Sequence, residues 1–245
     1  MPRKVQWHLH KSVHQSGRVV DLLSKLGVLY FDLDGTLADS GAGIHAALNE
    51  VFSGHGHEVL SIDELHSVIG PPLEESLPRL FAPRDIDLDL VQRFILDYRT
   101  VYKAKHLPKT VFNEGMEDAL DQLEHHWHLA VVTAKPETQA VVAVQALRST
   151  HRFVTVVGPA DDRAHPKSLL LERAMQEATQ RLGLKYENKK CWMIGDRHHD
   201  IDAGIAMGTN AMGVLWGFGN KTELIEAGAH AISHSPDELL ATLLP

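Results

Sequence analysis

Val28-Leu29-Tyr30-Phe31-Asp32-Leu33-Asp34-Gly35-Thr36-Leu37-Ala38-Asp39-Ser40 begins as an apolar run and delivers two carboxylates, two residues apart, into a glycine turn. The run has the composition of a buried strand, and the turn marks its end. Side chains along a strand alternate faces, so Asp32 and Asp34 are expected on one side and Leu33 in the core. Two carboxylates that close repel each other unless a cation lies between them or one is protonated. A strand that ends in such a pair is a candidate reactive centre.

The same pattern recurs downstream. Apolar runs that stop at small or polar residues occur at 28–32, 129–133, 153–158, 191–196 and 211–215. Helical patterns separate them at 114–126, 137–147, 167–182, 200–207 and 222–227. Near-continuous apolar strands alternating with helices specify an α/β fold, a Rossmann-like three-layer core whose parallel sheet is covered on both faces. Ligands of such sheets bind outside the carboxyl ends of the strands. One region departs from the alternation. Residues 41–110 hold helical candidates at 42–52, 62–68 and 88–105, punctuated by Pro71-Pro72 and Pro83 and closed by Pro108. The expected organisation is therefore an N-terminal extension (1–26), a core from 27–40 and 111–245, and an inserted helical cap (41–110).

Composition narrows the function classes. The chain has 245 residues, 44% of them hydrophobic and 23% charged, which suits a globular protein with a sizeable core. A formal charge of −8 without a long basic run argues against a nucleic-acid partner. No apolar run approaches the roughly 18 residues that cross a bilayer, so no membrane partner is expected. The lone cysteine, Cys191, sits in Cys191-Trp192-Met193-Ile194 and reads as a buried structural thiol in a reducing, cytoplasmic compartment. The first 26 residues carry five Lys or Arg against Asp21 but lack the apolar core of a signal peptide, and they are assigned no catalytic part. His55, His57 and His125-His126-Trp127-His128 lack zinc-ligand spacing and read as exposed.

Three later elements extend the chemistry of the first. In Val131-Val132-Thr133-Ala134-Lys135-Pro136 a strand ends in a hydroxyl before a proline-started helix, and Thr133 with the Ala134 amide suits a phosphoryl oxygen. In His165-Pro166-Lys167-Ser168 a lysine opens a helix, against the macrodipole preference, as it would if held for an anion. Ile194-Gly195-Asp196-Arg197-His198-His199-Asp200 ends another strand with Asp196 and places Asp200 one turn on, so that these acids joined to Asp32 make a hard-cation site.

Taken in order, Asp32-x-Asp34-Gly35-Thr36, Thr133, Lys167 and Gly195-Asp196-x-x-x-Asp200 resemble the four motifs of the haloacid dehalogenase superfamily, over 28–230. The helical insert falls where that family carries its C1-type cap. Gly70-Pro71-Pro72-Leu73-Glu74-Glu75-Ser76, Gly195-Asp196-Arg197-x-x-Asp200-Ile201 and Gly213-Val214-Leu215-Trp216-Gly217-Phe218-Gly219 further resemble phosphoglycolate phosphatase-like members. The resemblance implies a phosphatase acting on a small phosphorylated metabolite, with Asp32 as nucleophile and Asp34 as general acid and base. Gly35, Thr36, Thr133, Ala134 and Lys167 would bind the phosphoryl group. Mg²⁺ would be held by the Asp32 carboxylate, the Asp34 backbone carbonyl, Asp196 and Asp200, the last directly or through water. The same motifs serve phosphomutases, and a non-enzymatic interaction or regulatory protein on the same scaffold is the rival of another class, though a degenerate member would show a gap in the motif set. Nucleoside monophosphates, sugar phosphates and pyrophosphate compete with phosphoglycolate as substrates. Glu74, Glu75, Arg79, Arg163 and Arg197 are candidate contacts for substrate or cap, with Asp200 an alternative partner for Arg197.

Overall fold

A computed structural model describes residues 25–68, 73–160 and 165–245. The N-terminal extension through Ser24, Gly70-Pro71-Pro72 and Arg163 lie outside the described residues.

The described residues form eight strands, in chain order β1 (Val28–Phe31), β2 (Ala38–Asp39), β3 (Val111–Phe112), β4 (His128–Val132), β5 (Phe153–Val157), β6 (Trp192–Gly195), β7 (Asn210–Val214) and β8 (Ala231–Ser233). Six form one parallel sheet in the order β5-β4-β1-β6-β7-β8. The helices are α1 (Gly41–Gly54), α2 (Ile62–Val68), α3 (Leu73–Phe81), α4 (Val91–Val101), α5 (Met116–Leu123), α6 (Glu137–Ala146), α7 (Lys167–Leu182), α8 (His198–Ala206), α9 (Lys221–Glu226) and α10 (Pro236–Leu243). The fold is the expected α/β Rossmann-like one.

Alternation along β1 builds both halves of the interior. Leu29 and Phe31 enter one core with residues of α5, α6 and α10, while Val28 and Tyr30 enter another with Leu170, Leu171 and Ala174 of α7 and Ala203 of α8. Every β1 residue is buried, as a strand covered on both faces requires. Cys191 is buried and unpaired, and burial raises its thiol pKa. No helix among the described residues is long and apolar enough to cross a membrane.

The chain winds from β1 towards β5 on one side and from β6 towards β8 on the other, so the order reverses between β1 and β6. A crevice opens at such a reversal, at the carboxyl ends of the strands. Asp32, Thr133 and Asp196 directly follow β1, β4 and β6.

Between β2 and β3 every regular element of the described chain is a helix. These two-residue strands pair antiparallel, Ala38 with Phe112 and Asp39 with Val111, and form the stem from which the insert leaves and returns. Its centre is aromatic: Phe94 meets the rings of Phe81 and Phe52 edge-on at 4.8 and 5.2 Å. The helix expected over 88–105 is a 3₁₀ turn, α4 and a π-helical stretch, Tyr102–His106. Helix α3, with Pro78 inside it, and strand β8 are additions to the expected elements. His128 corrects the expectation of exposure: it is buried at the start of β4, beside the Tyr186 ring.

Candidate active site

A cleft of about 670 Å³ lies over the strand ends, bounded by both the core and the helical insert. Asp32, Asp34, Thr133, Ala134, Lys167, Asp196 and Asp200, spread over 169 positions of sequence from Asp32 to Asp200, all line it. The strand proper stops at Phe31, so the first two acids project from the turn that follows. The Asp32 amide donates to the Ile194 carbonyl (2.8 Å), which ties the turn to β6.

Asp32, Asp196 and Asp200 are buried and offer carboxylate oxygens within 4.8 Å of one another. Asp196 is fully buried, with Oδ1 accepting from the Thr36 hydroxyl (3.1 Å) and Oδ2 from the Phe218 amide (2.7 Å). Burial, then the charges of Asp32 and Asp200, push Asp196 up to about 8. Burial likewise raises Asp32 to about 6, against the opposing pull of Lys167. Lys167 Nζ donates to Asp32 Oδ1 (2.6 Å) and forms an ion pair with Asp200 Oδ1 at 2.9 Å. Burial opposes its charge, but Asp200 and Asp32 outweigh that and raise its pKa. The Lys167 ammonium is thus shared between Asp32 and Asp200, both of them buried.

Three clustered carboxylates facing one ammonium are short of positive charge, and the oxygen-only donor set fits a hard divalent cation. The Asp34 side chain stands outside that cluster. Its Oδ2 pairs with Lys135 Nζ at 3.0 Å, and Lys135 in turn donates to the Tyr102 hydroxyl (3.2 Å) and lies 4.6 Å from the Tyr102 ring centroid. Burial works against the Lys135 charge, but Asp34 followed by Tyr102 and Tyr98 raise its pKa. Thr133 is buried, and its hydroxyl accepts from the Lys135 amide (3.2 Å), which shapes the turn after β4.

Gly35 and Thr36, expected to touch substrate, lie behind the acids. The Gly35 amide donates to Ala38, and the Thr36 side chain is fully buried against Asp196; neither lines the cleft. Gly35 has φ +81°, and a Cβ there would come within 2.5 Å of Asp196 Oδ2 and 2.6 Å of the Phe218 ring. Its part is to let the turn pass beneath Asp196. Arg197 lines the cleft; its Nε donates to Glu223 Oε1 (2.9 Å), while its backbone amide donates to Asp200 Oδ2 (3.1 Å). Glu74 and Glu75 line the cleft from α3, with Glu74 paired to Arg99 at 3.3 Å, whereas Arg79 is exposed and does not line it.

Lys135, Tyr98 and Tyr102 were not singled out as site residues. The signal present was a lysine directly after a strand-end Thr-Ala, but its carboxylate and phenol partners lie at distant positions. Because Lys135 is buried, its loss breaks an ion pair inside the protein. Lys135→Met is expected to destabilise the fold by about 2–3 kcal/mol in urea denaturation, below the ~3–5 kcal/mol of a fully buried pair because Asp34 retains some contact with water. A change under about 0.5 kcal/mol would show that the pair carries no stability.

Residues 29–214 match the haloacid dehalogenase-like hydrolase family. The chain is similar to the tyrosine-protein kinase PtkA of Mycobacterium tuberculosis, 27% identical over 88% of this chain and 72% of that one. It is also similar to a phosphoglycolate phosphatase of Xylella fastidiosa, 30% identical over 77% of this chain and 80% of that one. Among solved structures, one described as a predicted phosphatase from Clostridium acetobutylicum superposes with a TM-score of 0.77 at 29% identity, over 90% of this chain and 99% of that one. With its sheet order, its strand-end acids and a match over most of its length, the chain belongs to the haloacid dehalogenase-like hydrolase family.

Proposed function

We propose that this phosphatase-type enzyme hydrolyses a small phosphomonoester through an aspartyl-phosphate on Asp32, with Mg²⁺ as cofactor. The carrying observation is the convergence of Asp32, Thr133, Lys167, Asp196 and Asp200, from distant parts of the chain, on one cleft at the reversal of strand order. An Asp32 oxygen attacks phosphorus and the bond to the leaving oxygen breaks, so one difficult displacement becomes two easier ones. Asp34, acting from its protonated form, gives that proton to the leaving oxygen, then as a carboxylate takes one from the water that cleaves the aspartyl-phosphate and returns Asp32 as a carboxylate. Thr133 and the Ala134 amide hold phosphoryl oxygens, and Lys167 neutralises their charge while orienting Asp32. The Asp32 carboxylate, the Asp34 backbone carbonyl, Asp196 and Asp200 would hold Mg²⁺, which offsets the repulsion between phosphate and acids. Residues 41–110 act as a cap on a catalytic unit of 27–40 and 111–245, with Tyr102 joining cap to Asp34 through Lys135. We place the enzyme in the cytoplasm, where a buried, unpaired Cys191 needs no oxidising environment.

A test of the acid follows from its position. Asp34→Asn is expected to slow hydrolysis of an alkyl phosphate by about 10²–10⁴-fold, and of nitrophenyl phosphate by clearly less, because a good leaving group needs little protonation. Equal losses in pre-steady-state bursts would remove Asp34 from that role.

Phosphoglycolate leads as substrate on the likeness to phosphoglycolate phosphatases. One observation favours a larger leaving group: the cleft lies within the range of about 300–1,000 Å³ that takes drug-sized ligands, and Ile44, Val68, Leu73 and Tyr98 give its cap side an apolar wall. A nucleoside monophosphate is the second reading. Phosphate release from a panel of phosphorylated metabolites with Mg²⁺ separates the two, and transfer without phosphate release would indicate a mutase instead.

A further inference from the structure

We propose that His198, His199 and Asp202 form a second metal site, at the rim of the cleft, for a divalent cation of the zinc class. All three lie on α8, with His198 and Asp202 one turn apart on the same face. The two imidazole rings are 3.7 Å apart between centroids, and a ring nitrogen of each histidine and a carboxylate oxygen of Asp202 lie within 4.8 Å of one another.

Glu223 gives this cluster the support that metal-binding histidines have. Its Oε1 lies 2.8 Å from His198 Nδ1 and also accepts from Arg197 Nε and the His198 amide, both at 2.9 Å. A carboxylate only accepts, so Nδ1 carries the proton and Nε2 is the ring nitrogen left to bind a metal. A carboxylate that fixes the tautomer and aim of an imidazole is the usual outer partner of a metal-bound histidine.

The donor set decides the class of ion. Two imidazoles and a carboxylate suit zinc and its neighbours, whereas magnesium prefers oxygen ligands alone, as in the Asp32, Asp196 and Asp200 cluster. His199 and Asp202 are exposed, which leaves coordination positions for water. They line the catalytic cleft, and His198 and Asp202 line an adjoining groove of about 560 Å³ with Asn220, Thr222 and Glu226. A cation held there therefore stands between groove and cleft.

The test uses the full chain, titrated with Zn²⁺ against a chelating indicator in millimolar Mg²⁺. One Zn²⁺ equivalent is expected to bind despite the Mg²⁺. His198→Gln and His199→Gln are each expected to weaken it at least tenfold, and Glu223→Gln about tenfold. Asp196→Asn is expected to leave it in place. Cu²⁺ substituted for Zn²⁺ is expected to show nitrogen hyperfine splitting in its electron paramagnetic resonance spectrum, reduced in either histidine variant. Failure of wild-type protein to retain Zn²⁺, retention undiminished in His198→Gln and His199→Gln, or loss in Asp196→Asn would each overturn the assignment. None of these readouts depends on turnover, so failure of this site is distinguishable from failure of the phosphatase reading.

Discussion

Asp32→Asn is expected to lower phosphate release by about 10⁴-fold or more while the protein stays folded, the scale on which loss of a nucleophile acts. Asn has nearly the same shape, and the backbone hydrogen bond from Asp32 to Ile194 does not involve the side chain. The variant removes one of three mutually repelling carboxylates, and Lys167 keeps its Asp200 partner. Its thermal midpoint is accordingly expected to match or exceed that of the wild type. Phosphate release in a burst experiment, with circular dichroism on the same sample, checks both halves. Turnover above a few per cent of wild type in a folded variant would reject a covalent intermediate on Asp32.

That the strand-end place of Asp32 was legible in the sequence follows from the physics of a parallel sheet. Strands buried on both faces must be apolar along their length, so the first carboxylate or hydroxyl after each run marks the strand end, where the crevice lies. Asp32, Thr133 and Asp196 were found this way, and the sheet brings them together. Short elements carry no such signal. β2 and β3 have two residues each and β8 three, too few for alternation to show. Helix α3 was hidden by Pro78, which lacks the amide a helix interior uses and reads as a break.

The site's supporting residues were harder to assign for a different reason. Spacing from a strand end says that Gly35 and Thr36 come near the acids, but not whether they face the cleft or the back of Asp196. That is settled by Phe218 and Trp216: the Trp216 Nε1 donates to the Thr36 carbonyl (2.9 Å) and the Phe218 amide to Asp196, from a loop some 180 residues downstream of the turn. Lys135 was missed because its partners come from other elements, Asp34 after β1 and Tyr102 in the insert. His128 was read as exposed from a histidine-rich run, yet it begins β4, where the sheet buries it whatever its neighbours.

Removal of divalent cations is expected to stop turnover, and added Mg²⁺ to restore it, with Asp196 contributing more to the requirement than Asp200. Both Asp196 oxygens are aimed by fixed donors, the Thr36 hydroxyl and the Phe218 amide, in a fully buried position. Asp200 shares its charge with the Lys167 ammonium, so less of it is left for a metal. A pre-aimed ligand loses more on substitution than one already neutralised by a partner. Asp196→Asn is therefore expected to raise the Mg²⁺ needed for half-maximal activity on the order of 100-fold and Asp200→Asn on the order of 10-fold. The Mg²⁺-dependent rise in thermal midpoint supplies an independent reading, because a cation bound only by the folded protein stabilises it by mass action. It is expected to shrink in the same order. A reversed order of the two variants would overturn the ligand ranking alone, whereas full activity in excess chelator would reject the metal-assisted reaction.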